Sequence, residues 1–195
     1  MKVCSGGTVF LLERHMERLR KSASHFGFAC DASVLRDHVL RVAARQTAPM
    51  MLRVLLRRDG AYEFELRPVP ATSPSRLILS PTRVDSANEF LHHKTTARQI
   101  YDAARVGCPP GTDAILVNQR GEITETSIAN IAVRRLSHWV TPMLSSGLLP
   151  GVMRAHLLNA GELVEGAILA EDLVPGETIR CFNSVRGSFD AEFVA

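Results

Sequence analysis

The chain has 195 residues, a formal net charge of +3, 46% hydrophobic residues and 22% charged ones, the composition of a globular protein able to bury a core in one ordinary domain or two small ones. No apolar run nears the roughly 18 residues of a membrane span, and the stretch Val9 to Leu12 is cut short by Glu13 and Arg14 before it could act as a signal-peptide core, so a soluble cytoplasmic protein is expected. Acidic and basic residues are interspersed, which argues against a broad nucleic-acid face but leaves room for a local basic pocket holding a small anion.

Leu12 to Phe28 places Met16, Leu19, Ala23 and Phe26 at spacings of three and four, which predicts an amphipathic helix ended by Gly27. A second helix is expected from Ala32 to Arg45, with Asp31 as its cap and Leu35, Val39 and Val42 on its apolar face. The period then changes to that of strands at Met50 to Leu56 and Tyr62 to Leu66, joined by the hairpin signal Asp59-Gly60, with another strand at Leu77 to Leu79. Ser80 to Asn88 has no periodicity and many Pro, Thr, Asp and Ser residues, so a linker is expected there, separating residues 1–83 from residues 84–195. In the second half a helix is expected from Thr96 to Arg105. Strands follow at Asp113 to Val117, Ile123 to Glu125, Ile131 to Arg134 and Trp139 to Thr141. Pro150-Gly151 opens a helix over Val152 to Leu158, and further strands are expected at Leu163 to Ile168 and Thr178 to Phe182. The fold class is therefore α/β of the α+β type, a small α/β unit followed by a largely β domain with helices outside.

Cys4, Cys30, Cys108 and Cys181 are scattered without a C-x-x-C pair, so neither a zinc site nor a disulfide framework is suggested. His92-His93 is a poor metal site, because adjacent side chains on a strand point apart; no metal is expected. The motifs H-E-x-x-H, G-x-x-x-x-G-K, G-x-G-x-x-G and G-x-S-x-G are all missing from the sequence. Of the 23 Lys plus Arg residues only Lys2, Lys21 and Lys94 are lysine. Lysine, unlike arginine, can lose its proton and act as an amine nucleophile, so a single mid-chain lysine against that background raises a chemical question.

Four stretches, in order, bear on it: Phe10-Leu-Leu-Glu-Arg-His-Met-Glu-Arg-Leu19, Leu116-Val-Asn-Gln-Arg-Gly-Glu-Ile-Thr-Glu-Thr-Ser-Ile-Ala-Asn-Ile131, Leu148-Leu-Pro-Gly-Val-Met-Arg154 and Asn183-Ser-Val-Arg-Gly187. Together they resemble the class IV aminotransferase fold, which contains branched-chain and D-amino-acid aminotransferases and aminodeoxychorismate lyase. The resemblance implies a two-domain enzyme of pyridoxal 5'-phosphate (PLP). Lys94 would be the catalytic lysine holding the cofactor covalently, and Glu125 the carboxylate at the pyridine nitrogen. Arg18, the backbone amides of Val152 and Met153 and the hydroxyl of Ser184 would hold the phosphate. The amides also follow from the helix opening after Pro150-Gly151, whose first N–H groups lack intrahelical partners.

Lys94-Thr-Thr-Ala-Arg98 and Asn183-Ser-Val-Arg-Gly187 are similar to the aminodeoxychorismate lyase form of these motifs. That similarity implies elimination of pyruvate from 4-amino-4-deoxychorismate to give 4-aminobenzoate, a folate precursor. Arg98 and Arg186 are candidates for substrate carboxylate contacts, or equally for structural ties between strands. A transaminase of branched-chain or D-amino acids is the alternative on the same residues. Family members usually carry additional strands before the Phe10 segment, so this N-terminal part reads as truncated, and a non-catalytic or partner-dependent remnant is a third reading. The implied partners are a small anionic amine substrate and a second copy in a homodimer.

Overall fold

The computed structural model describes residues 1–194, and the chain divides into two compact units, Met1–Ala71 and Thr72–Ala195. Among the described residues no helix is long and apolar enough to cross a membrane.

In the first unit β1 (Lys2–Val3), β2 (Met50–Leu56) and β3 (Tyr62–Pro68) form an antiparallel sheet in the order β1-β2-β3, accompanied by α1 (Leu12–Phe26) and α2 (Ala32–Ala44). Leu12, Met16, Leu35, Val39 and Ala43 from the helices meet Val3 and Leu52 from the sheet in one buried core, as the helical spacing requires. Helix α1 stops two residues before the expected Phe28. Gly27 turns left-handed at φ 67°, and the amides of Gly27 and Phe28 return to the carbonyls of Ser24 and Ala23. Asp31 caps α2 by accepting from the amides of Ser33 and Val34 at 3.1 and 3.0 Å. Gly60, at φ 90°, takes the tight turn of the β2–β3 hairpin.

The second unit is built on β4 (Arg76–Val84), β5 (Thr112–Asn118), β6 (Ile123–Thr126), β7 (Asn130–Arg135), β8 (His138–Pro142), β9 (Val164–Gly166), β10 (Thr178–Asn183) and β11 (Gly187–Phe193). They hydrogen-bond in the order β10-β11-β4-β5-β6-β7-β8-β9, and β10 pairs with β7 as well, so six strands close on themselves while β8 and β9 extend from the ring. Alternation along the strands sorts their side chains. Ile115, Val117, Ile131, Val133, Ile179 and Cys181 share one core. The intervening Ala114 and Leu116 pack with Leu91, Tyr101 and Ala104 of α3 (Glu89–His92) and α4 (Gln99–Ala104). Ala132 and Phe182 pack with Leu157 of α5 (Val152–Asn159). Strand β5, buried along its whole length, is covered on both faces.

Three expectations are corrected. The linker over Ser80 to Asn88 is instead the second half of β4, whose Arg83 and Val84 pair with Val117 and Asn118, followed by the cap of α3; the units divide after Ala71. The register of β4 against β5 shifts between Leu79 and Arg83, and Pro81, Thr82 and Arg83 are all exposed, so this irregular stretch lacks the alternation that marks a strand. Helix α4 begins at Gln99 rather than Thr96, because the Ala97 amide is taken by Thr95 Oγ1 at 3.2 Å and Arg98 has non-helical ψ. Strand β11 was not expected, although Phe189, Ala191 and Phe193 alternate with the exposed Ser188, Asp190 and Glu192.

Candidate active site

Glu125 owes its place to an irregularity in the sheet. Ile115 faces Thr126 and Val117 faces Ile123, so two steps along β5 match three along β6, and the extra residue lies in the Thr124-Glu125 stretch. Such a bulge re-aims a side chain out of the strand alternation. The Glu125 residue is 4% exposed, and its carboxylate is enclosed by donors from three separate segments. Oε1 accepts from the Tyr101 hydroxyl at 2.8 Å and the Leu149 amide at 3.0 Å; Oε2 accepts from Asn130 Nδ2 at 3.1 Å. Burial raises the Glu125 pKa to about 7, against the downward pull of the Leu149 amide, the Tyr101 hydroxyl and the charges of Lys94 and Arg98. Burial first, then the carboxylate beside it, pushes the Tyr101 hydroxyl far upward, so Tyr101 stays a donor.

Lys94 lies in the extended segment between α3 and α4, exposed to solvent, with its charge within electrostatic reach of Glu125. Arg98, at the start of α4, donates to the Ser127 carbonyl at 2.8 Å and lies over the Tyr101 ring at 4.8 Å from its centroid. Ser127 in turn donates its hydroxyl to the buried Asp113 at 2.5 Å. These contacts describe Arg98 as a tie between the lysine segment and the β6–β7 turn.

The opening of α5 is brought to the same place by Asn130. Its Nδ2 donates to the Leu149 carbonyl at 3.0 Å as well as to Glu125. A β carbon at residue 151 would overlap Asn130 Oδ1, so glycine is required there for the approach. Gly151 caps α5 without a side chain, leaving the first amides, Val152 and Met153 among them, with no side-chain cap. Asn130 also faces Phe182 across β7–β10, which brings the turn after β10 close. Asn183 shapes that turn: Oδ1 accepts from the amides of Val185 and Arg186, both at 2.9 Å, and Nδ2 donates to the Ile128 carbonyl at 3.1 Å. Ser184 is half-buried on this turn. Arg186 has a buried Nε without a partner, and burial lowers its guanidinium pKa while Asp113 opposes the change.

Lys94, Glu125, Val152, Met153, Ser184, Arg98 and Arg186 thus all belong to the second unit, whereas Arg18 is half-buried on α1 of the first. An amine, a buried acid, a helix opening without a side-chain cap and a hydroxyl are the kinds of group that an aldehyde-bearing pyridine phosphate would use. His92 Nε2 instead contacts the Ser86 carbonyl at 3.0 Å. Tyr101 and Asn130 were missed from sequence. Nothing in the sequence connects Tyr101 to Glu125 across 24 positions.

The family model for class IV amino-transferases matches residues 1–191. A Schizosaccharomyces pombe protein provisionally named aminodeoxychorismate lyase is 32% identical over 191 residues, covering 92% of this chain and 82% of that protein. The crystal structure of a provisionally named amino-acid aminotransferase from Mesorhizobium loti superposes with a TM-score of 0.90 at 34% identity, over 100% of this chain and 97% of that one. The 4-amino-4-deoxychorismate lyase of Pseudomonas aeruginosa shares the fold, with a TM-score of 0.82 at 22% identity over 100% of this chain and 82% of its own.

Proposed function

The chain belongs to the class IV aminotransferases, and from that premise we propose that it is a PLP-dependent lyase converting 4-amino-4-deoxychorismate to 4-aminobenzoate and pyruvate. The observation that carries the cofactor reading is the buried carboxylate of Glu125, held by three donors and within electrostatic reach of the Lys94 amine. The family is one of PLP enzymes. When bound, PLP supplies an electron sink for the charge left when a proton leaves the amine-bearing carbon.

Lys94 would hold the cofactor, and its Nζ, when free, would take that proton. Glu125, fixed by its donors, keeps a proton at the ring nitrogen. The Val152 and Met153 amides and the Ser184 hydroxyl hold the phosphate. Arg186, whose Nε has no protein partner, is the contact proposed for a substrate carboxylate. Departure of the enolpyruvyl group as pyruvate leaves an aromatic ring, so the reaction balances without a co-reactant.

The lyase reading is supported by the Lys94-Thr-Thr-Ala-Arg98 and Asn183-Ser-Val-Arg-Gly187 motifs and by the name of the S. pombe relative. The M. loti relative's name favours a transaminase as the second reading. A product assay separates them. Incubation of the PLP-loaded protein with 4-amino-4-deoxychorismate is expected to release equal amounts of pyruvate and 4-aminobenzoate; exchange of amino groups with 2-oxo acids and no 4-aminobenzoate would establish the transaminase instead.

A further inference from the structure

We infer that Tyr101 is a positioning residue for this site, its hydroxyl fixing the direction of the Glu125 carboxylate and holding that group as a charged acceptor for the ring nitrogen. The inference rests on the cofactor reading above and singles out, from the three donors that reading counts together, the one titratable side chain among them.

The geometry is a chain of contacts between two buried acids. Asp113, 1% exposed, takes the Ser127 hydroxyl at 2.5 Å. The Ser127 carbonyl takes Arg98 at 2.8 Å, Arg98 lies 4.8 Å from the centroid of the Tyr101 ring, and the Tyr101 hydroxyl reaches Glu125 at 2.8 Å. The ring is therefore held on its face by a cation and at its tip by a carboxylate, so the hydroxyl has one direction in which to donate. The Leu149 amide shares Oε1 with it, and Asn130 takes Oε2. The charged and titratable groups acting on Glu125 are Tyr101, Lys94 and Arg98; the Leu149 amide and Asn130 are neutral.

Each donor stabilises the carboxylate's negative charge and makes it a weaker base. A proton shared between Glu125 and a ring nitrogen is thereby left on the nitrogen, where it strengthens the electron sink. Without the Tyr101 hydroxyl the buried carboxylate would lose one of its two Oε1 donors and draw that proton toward itself.

The test uses carboxyl-¹³C glutamate in the cofactor-free protein and a ¹⁵N-labelled ring nitrogen in the loaded one. In Tyr101→Phe, which keeps the ring under Arg98, the titration midpoint of Glu125 is expected to rise by about tenfold in the acid equilibrium, the effect of losing one hydrogen bond to a buried charge. In the loaded protein the ring-nitrogen signal is expected to move toward its unprotonated position. If Tyr101→Phe does not fold, replacing both tyrosines of the chain by the more acidic 3-fluorotyrosine strengthens the donor and is expected to move the Glu125 midpoint the other way. Unchanged midpoints in the cofactor-free forms, or an unchanged ring-nitrogen signal in the loaded Tyr101→Phe protein, would overturn the inference. Failure of the wild-type protein to take up the labelled cofactor would instead overturn the function proposed above, while the cofactor-free titration still decides whether Tyr101 governs Glu125.

Discussion

Replacing Glu125 by glutamine should change how the stability of the cofactor-free protein depends on pH. Burial raises the folded-state pKa of Glu125 to about 7, against about 4.3 for an unfolded chain. A group raised on folding contributes stability that is fully present below the unfolded value and is lost as pH rises through the folded one. Across that window the wild-type protein should lose about 4 kcal/mol on account of this residue, from roughly 1.4 kcal/mol for each tenfold change in the acid equilibrium. Glutamine does not titrate. Its oxygen can keep the Tyr101 and Leu149 donors at the Oε1 position, but its amide nitrogen would meet the Asn130 donor now serving Oε2. That clash costs about 1–3 kcal/mol and does not vary with pH. Glu125→Gln should therefore be the less stable protein at acid pH, with the gap closing or reversing by about pH 8. Urea unfolding of both proteins, from about pH 4.5 to 8, measures the difference, and other titrating groups cancel because the two chains share them. Stability curves that run parallel across this range would refute the assignment of Glu125 as a buried acid.

Gly151→Ala should cost about 1–3 kcal/mol in unfolding experiments even though φ −66° at this position suits alanine, because the new methyl group displaces an amide bonded to both Glu125 and Leu149. The same variant should retain PLP less tightly on dialysis; wild-type stability and retention would show that Asn130 is not held as described. Asp31→Ala removes the oxygen that accepts two α2 amides and should lower stability by about 1 kcal/mol, measured by chemical denaturation.

Helices α1 and α2 and the β2–β3 hairpin were legible because each buries one face, and the spacing of Leu12, Met16 and Ala23, or of Leu35 and Val39, records that face directly. The second unit was harder to read. Strand β5 is buried on both sides and β4 carries a polar stretch through its pairing, so neither shows the alternation that marks a strand with one wet face. Lys94 and Glu125 could be named only through resemblance to a family. No local pattern foretells a bulge between Ile123 and Thr126, nor that Tyr101, Asn130 and the Leu149 amide converge on one carboxylate. Those contacts join residues 5 to 24 positions apart, and closure of the sheet, rather than local propensity, brings them together.

With only three lysines in the chain, covalent trapping tests the proposed chemistry most directly. Purified protein loaded with PLP should show the yellow absorbance of the bound cofactor, lose it on borohydride reduction, and yield a cofactor-mass adduct on the peptide containing Lys94. Lys94→Ala should form no reducible adduct. An adduct mapped to Lys2 or Lys21, or one that persists in Lys94→Ala, would contradict the assignment.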